Sequence, residues 1–208
     1  MVPSIILICV AAYLLGNLNG AVVISRLVAK EDVRTHGSGN AGLTNFVRNY
    51  GSATSVFVIL IDVGKAVAAC LVGGLLLKRY GYYTEGVALG GLFVIFGHDV
   101  PALLGVKGGK GMLSGVTVAV RMDWRIGLFV FSIFLVAYLL TGYVSLGSVL
   151  SAGSFGFIYA WFHRDSLFPI LVGFILSALL VWMHRANIVR LVKGQERKTN
   201  LFGKGKQK

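Results

Sequence analysis

SATSVFVILIDVGKAVAACLVGGLLL, the stretch from Ser52 to Leu77, carries only two charged residues, Asp62 and Lys65. Wound as a helix at ~1.5 Å per residue, it outreaches a hydrocarbon core of ~30 Å. It shows no two-residue alternation, so a half-exposed strand does not describe it. A membrane-spanning helix does. Asp62 and Lys65 stand three residues apart and share one helix face, where each, costly alone in hydrocarbon, satisfies the other. The pair reads as structural or as scaffolding for a site.

The rest of the chain extends that reading. Further apolar segments fall at Pro3–Ile24, Tyr83–Phe96, Met112–Val120, Ile126–Leu140, Leu146–Trp161 and Phe168–Met183, the Met112 segment being short for a full span. Of the 208 residues 56% are hydrophobic and 13% charged, against about 25% charged in soluble domains. The expected fold is an all-α integral membrane bundle of about seven transmembrane helices, one of them short. The first segment lacks the basic flank and small-residue cleavage site of a signal peptide and reads as a retained helix. Cys9 and Cys70 lie in apolar segments, where a thiol behaves as a small hydrophobe.

Charge orients the bundle. With the N-terminus outside and every segment crossing, the inner loops and tail hold fourteen Lys and Arg residues (Arg26, Lys30, Arg34, Arg48, Lys107, Lys110 and the eight beyond residue 184). The outer loops hold five, Lys78, Arg79, Arg121, Arg125 and Arg164. That bias places the C-terminus in the cytoplasm. It also accounts for the net charge of +12 without nucleic-acid binding, for which no aromatic-interleaved basic patch exists. Residues 1–198 read as one polytopic membrane domain and 199–208 as a basic, disordered cytoplasmic tail. The polar loops all fall on the cytoplasmic face.

Three of those loops could carry chemistry. Residues 34–48, RTHGSGNAGLTNFVR, combine glycines at 37, 39 and 42 with Ser38, Asn40, Thr44, Asn45 and Arg48, whose fork suits phosphate or carboxylate. Turns use the same residue types. Residues 97–111 hold His98, Asp99 and then Lys107-Gly108-Gly109-Lys110-Gly111, a pair of ammonium groups on a glycine turn ahead of a helix. Such a turn can form an anion-binding nest of backbone N–H groups; the plainer alternative is two interfacial lysines with extended stems. The third runs from His184, with Asn187 and Arg190 at helical spacing, to Glu196, which is suited to pair with Arg190. Ser145 and Ser148 flank a helix start, where either hydroxyl serves as a cap or as an oxyanion partner. No metal-ligand spacing, nucleotide fingerprint or His-x4-Asp box occurs. An enzyme acting on phosphorylated, lipid-soluble substrates and an anion transporter both fit, although no internal repeat favours the latter.

Taken together, Gly37-Ser-Gly-Asn40 with Gly42, Thr44-Asn45 and Arg48, then Gly97-His98, Pro101 and Lys107-Gly-Gly-Lys-Gly111, then His184-x-x-Asn187-Ile188-x-Arg190-Leu191-x-x-Gly194-x-Glu196-x-Lys198 resemble the three cytoplasmic motifs of the bacterial acyl-phosphate:glycerol-3-phosphate acyltransferases, the PlsY family. The resemblance implies transfer of a fatty acyl group from acyl phosphate to the 1-hydroxyl of glycerol 3-phosphate, giving lysophosphatidic acid, without metal or cofactor. It implies a multi-pass protein of the bacterial plasma (inner) membrane with its site facing the cytoplasm, fed by an acyl-phosphate-producing enzyme. By the same resemblance Ser38, Arg48, Lys110, Ser148, His184 and Asn187 are the principal functional residues. Gly37, Gly39, Asn40, Thr44, Asn45, Lys107, Gly108, Gly109, Gly111, Ser145 and Arg190 surround the substrate phosphates, with His98, Asp62, Lys65 and Glu196 in support.

Overall fold

The computed structural model describes residues 1–199; most of the expected tail, residues 200–208, lies outside them. Within the described residues all regular structure is helical: α1 (Val2–Asn17), α2 (Gly20–Val28), α3 (Leu43–Tyr50), α4 (Ser55–Lys78), α5 (Tyr83–Asp99), α6 (Met112–Met122), α7 (Trp124–Thr141), α8 (Val144–Phe162), α9 (Leu167–Met183) and α10 (Arg185–Val192), with two 3-10 turns. Each of the seven apolar segments becomes a helix, but fewer than seven qualify as membrane spans by length and composition. Five do, α1 and α2 counting as one; α9 and α10, bent by 58°, make a sixth if taken together. The shortfall is α6, whose 11 residues rise about 17 Å, half a hydrocarbon core.

Small residues set how closely the helices pack. A Cβ at Gly73 would strike the Gly86 carbonyl and one at Gly86 the Gly73 carbonyl, so α4 and α5 touch backbone to backbone; Gly16 and Gly97 do the same for α1 and α5. Such contacts replace the hydrophobic drive that lipid does not supply. Around them Ile95, Val118, Ile126, Phe155, Tyr159 and Leu176 form the core, each 1% exposed or less.

The break between α1 and α2 explains Asp62 and Lys65. Stopping a helix in the membrane strips its last carbonyls of partners. Lys65 Nζ donates to two of them, Leu18 at 2.7 Å and Gly16 at 3.3 Å. Asp62 Oδ1 balances the ammonium at 2.8 Å and accepts from the Gly20 N–H, the first of α2. Asn19 completes the restart by accepting from Val22 N. The ion pair is the patch on a broken helix.

Contacts at the two ends of the bundle show how the chain threads. At one end the Met1 amino group donates to Tyr80, Arg79 to Ser4, and Asp123, which closes α6 and caps α7, bonds His163 after α8. At the other end lie the α1–α2 break, the loops after α2 and α5, the α7–α8 turn and the bend at His184. From α4 to α9 successive helices therefore alternate in direction, α6 included, and all three polar cassettes gather at one end.

Candidate functional site

A cavity of about 310 Å³ opens at that end. Its walls come from four stretches far apart in sequence. The first loop and α3 supply Gly37, Ser38, Asn40, Thr44, Asn45 and Arg48; Lys110 precedes α6; Ser145 and Ser148 open α8; His184, Asn187, Arg190 and Glu196 come from the α9–α10 bend and beyond. All six principal residues expected from the sequence line this single space.

The first loop is folded by Asn45. Its Nδ2 donates to the carbonyls of Val33, His36 and Asn40 at 3.0–3.1 Å, and its Oδ1 accepts from Ser38 N at 3.0 Å. Both ends of the amide are thus spent on the loop, so Asn45 shapes the wall rather than offering groups to a ligand. Gly37 and Gly39 hold positive φ, 61° and 70°, and that turn presents Ser38 to the cavity. Asp32 braces the loop from outside: it binds Arg34, whose Nη1 reaches the Leu104 and Lys107 carbonyls at 2.6 and 3.1 Å and so ties the first loop to the second.

The second loop differs from the expected nest. In it positive φ is confined to Gly105, Val106 and Gly111, and the Gly109 N–H donates to the His98 carbonyl at 3.1 Å. Gly108, Gly109 and Gly111 do not line the cavity. Gly108 and Gly109 are glycines because this segment presses on the end of α5: a Cβ at Gly108 would lie 2.6 Å from Pro101 Cδ and 2.7 Å from the Asp99 carbonyl, and one at Gly109 would run into the His98 ring. Gly39 also lies outside the lining, and Lys107 is exposed away from it, held only through its backbone. His98 turns from the cavity into the ion-pair patch, Nδ1 sitting 2.7 Å from Lys65 Nζ. His98, Asp62 and Lys65 form a buried floor under the Gly108–Gly109 segment.

Four cations, Arg48, Lys110, Arg190 and Arg197, share the cavity with one carboxylate, Glu196. Glu196 bridges Asn187 Nδ2 at 2.9 Å and Arg190 Nε at 2.7 Å. Burial pushes its carboxyl up, but those bonds outweigh burial and keep it ionised. Lys110 donates to Asn187 Oδ1. Burial, with Arg190 adding repulsion, brings its ammonium down to about 8. His184 Nδ1 meets the Leu180 carbonyl at 2.8 Å. A carbonyl only accepts, so Nδ1 carries the proton and Nε2 is the open nitrogen. Burial and the Lys110 charge hold this imidazole down to about 4 against the Leu180 bond, leaving it neutral with Nε2 an acceptor. Ser148 gives its proton to the Val144 carbonyl at 2.9 Å. A site with excess positive charge, neutral acceptors and about 310 Å³ of open volume suits phosphate esters.

Sequence reasoning missed Asn49, Val144, Gln195 and Arg197, which also line the cavity. Asn49 lies one helical turn past Asn45 and donates to its carbonyl at 2.8 Å, a spacing that marks it. Gln195 and Arg197 gave no such signal. Thr199, where the tail was expected to begin, is buried and bonded.

Residues 6–194 match the family model described as glycerol-3-phosphate acyltransferase. The chain is 38% identical over 200 residues to a glycerol-3-phosphate acyltransferase of Prochlorococcus marinus, covering 94% of this chain and 98% of that one. With one from Finegoldia magna the identity is 37%, covering 93% and 96%. The crystal structure of PlsY, an integral membrane glycerol 3-phosphate acyltransferase in its glycerol 3-phosphate form, superposes with a TM-score of 0.85 at 31% identity, covering 95% of this chain and 96% of that one.

Proposed function

Because the chain belongs to the glycerol-3-phosphate acyltransferase family, we propose that it moves a fatty acyl group from acyl phosphate to the 1-hydroxyl of glycerol 3-phosphate. The product is lysophosphatidic acid, and an acyl-phosphate-producing enzyme acts upstream. The observation that carries the reading is the convergence of Ser38, Arg48, Lys110, Ser148, His184 and Asn187 on one cationic cavity. Donor and acceptor each bring a phosphate, which accounts for cations from three separate segments. The protein sits in the bacterial plasma membrane with seven crossings, the short α6 among them, its N-terminus outside and the cavity toward the cytoplasm. The charge bias and the alternation of helix direction support that orientation.

Acyl phosphate is already activated, so positioning and charge stabilisation supply most of the catalysis. The hydroxyl oxygen bonds to the acyl carbon, the bond from that carbon to the phosphate oxygen breaks, and the hydroxyl proton leaves with inorganic phosphate. Lys110 and Arg48 hold phosphate oxygens, and His184 Nε2 accepts the hydroxyl hydrogen bond that aims the attack. The proton itself goes to the donor phosphate. A phosphate dianion, with a pKa of about 6, is a stronger base than an imidazole held near 4.

In detergent, free phosphate released from acyl phosphate should depend on added glycerol 3-phosphate. Release without acceptor dependence defeats the enzyme reading, whereas an anion transporter shows itself only in sealed vesicles. The proton assignment has its own test. His184→Gln should slow turnover about tenfold and keep an acid limb near pH 6. A general base would cost about a hundred- to ten-thousandfold, and its substitution would remove the acid limb.

A further inference from the structure

α10 ends at Val192; Gly194, in the left-handed region at φ 65°, turns the chain back, Gln195 N donating to the Arg190 carbonyl at 2.8 Å. Residues 195–199 then run along the cavity from α10 to the α7–α8 turn. Gln195, Glu196 and Arg197 form its outer wall. The strap is fastened at its far end by Thr199. The Thr199 N–H donates to the Gly142 carbonyl at 3.1 Å, and the Thr199 carbonyl accepts from the Tyr138 hydroxyl at 3.0 Å. Lys198 lies 5.4 Å from the centroid of the Tyr143 ring. The Thr199 hydroxyl accepts from Arg48 Nη2, which also reaches the Arg197 carbonyl at 3.5 Å.

We propose that Thr199, anchored by Tyr138, is a positioning residue that aims the Arg48 guanidinium at the phosphate of glycerol 3-phosphate. This rests on the acyl-transfer reading for the identity of the ligand. Arg48 needs such a hold. Its side chain is long and freely rotating, and Arg190 and Arg197, facing the same cavity, repel it. Glu196 is already taken by Asn187 and Arg190. The strap's neutral oxygens fix Arg48 without cancelling its charge, which leaves its other N–H groups for phosphate. Thr199 is 7% and Tyr138 6% exposed, and neither lines the cavity, so both act through Arg48. Residues 195–199 are all polar and follow the last apolar helix, which is why the water-soluble acceptor is assigned to this wall.

The test uses the full chain in detergent. Thr199→Val keeps shape and removes the acceptor; the KM for glycerol 3-phosphate should rise about tenfold, with that for acyl phosphate and the thermal midpoint nearly unchanged. Thr199→Ser should restore the wild-type KM, and Tyr138→Phe should shift it in the same direction as Thr199→Val. In an Arg48→Ala background Thr199→Val should add nothing further. An unchanged KM for glycerol 3-phosphate, equal rises for both substrates, failure of Thr199→Ser to rescue, or full additivity with Arg48→Ala each overturns the proposal. Should the wild type show no acceptor-dependent phosphate release, the acyl-transfer reading falls instead. Calorimetric titration of wild type and Thr199→Val with glycerol 3-phosphate alone then decides this one: equal affinities, or no binding to the wild type, overturn it.

Discussion

Lys110→Ala is expected to lower kcat/KM by about a hundred- to a thousandfold, the cost of removing one preorganised donor from a developing negative charge. The fold should survive. Lys110 is half-buried and repelled by Arg190 and Arg48, so its removal relieves repulsion at the cost of one bond to Asn187, and the thermal midpoint should move little. The same crowding sets a pH limit. An ammonium works only while protonated, and this one is held near 8 rather than at the usual lysine value of 10.5. Activity in kcat/KM should therefore be full between the acid limb near pH 6 and about pH 8, and fall as pH rises through 8. Bound phosphate stabilises the ammonium, so the corresponding limb in kcat lies at higher pH. A Lys110→Ala enzyme within fivefold of wild type, or a wild-type kcat/KM flat from pH 7 to 10, would remove Lys110 from the phosphates.

Where the sequence was sufficient, it was because a residue's chemistry and its spacing carried the same message. Seven apolar segments became seven helices or helix pairs, and the spacing of His184, Asn187 and Arg190 brought all three to the cavity. Asp62 and Lys65 were recognisable as a pair, yet their purpose was not, because nothing in residues 52–77 says that a different helix breaks at Leu18 and leaves carbonyls to be capped. Asn45 carries the residue type of a ligand-binding amide and spends it on its own loop. Thr199 resembled a tail residue since its partners, Gly142, Tyr138 and Arg48, lie 57 or more positions away and share no pattern with it. Local periodicity reports which face of a helix is buried. It is silent on what a loop meets once the bundle closes.

Gly108 and Gly109 are the sharpest case, since glycine in a phosphate-binding loop and glycine at a tight crossing look alike in sequence but fail differently when replaced. If the loop were a nest, alanine would cost only the strain of a left-handed residue, about 1–2 kcal/mol, and the protein would fold normally with weaker substrate binding. Here neither glycine has positive φ, and an added methyl meets parts that cannot yield. At Gly108 it meets the His98 and Asp99 carbonyls and Pro101; at Gly109 it meets the His98 ring, itself fixed by Lys65, and the Ala41 carbonyl at 2.9 Å. The segment can only lift off α5, taking Lys110 out of reach of Asn187 and the cavity. Gly108→Ala and Gly109→Ala are thus expected to reduce kcat about as severely as Lys110→Ala does, and unlike it to lower the thermal midpoint by several degrees, in keeping with overpacking costs of about 1–3 kcal/mol. Gly105→Ala supplies the control. That residue has φ 66° but open space around it, so it bears strain without collision and should retain most activity. If Gly109→Ala kept its thermal midpoint and lost only affinity for substrate, the glycines would bind phosphate after all, and the crossing with α5 would be incidental.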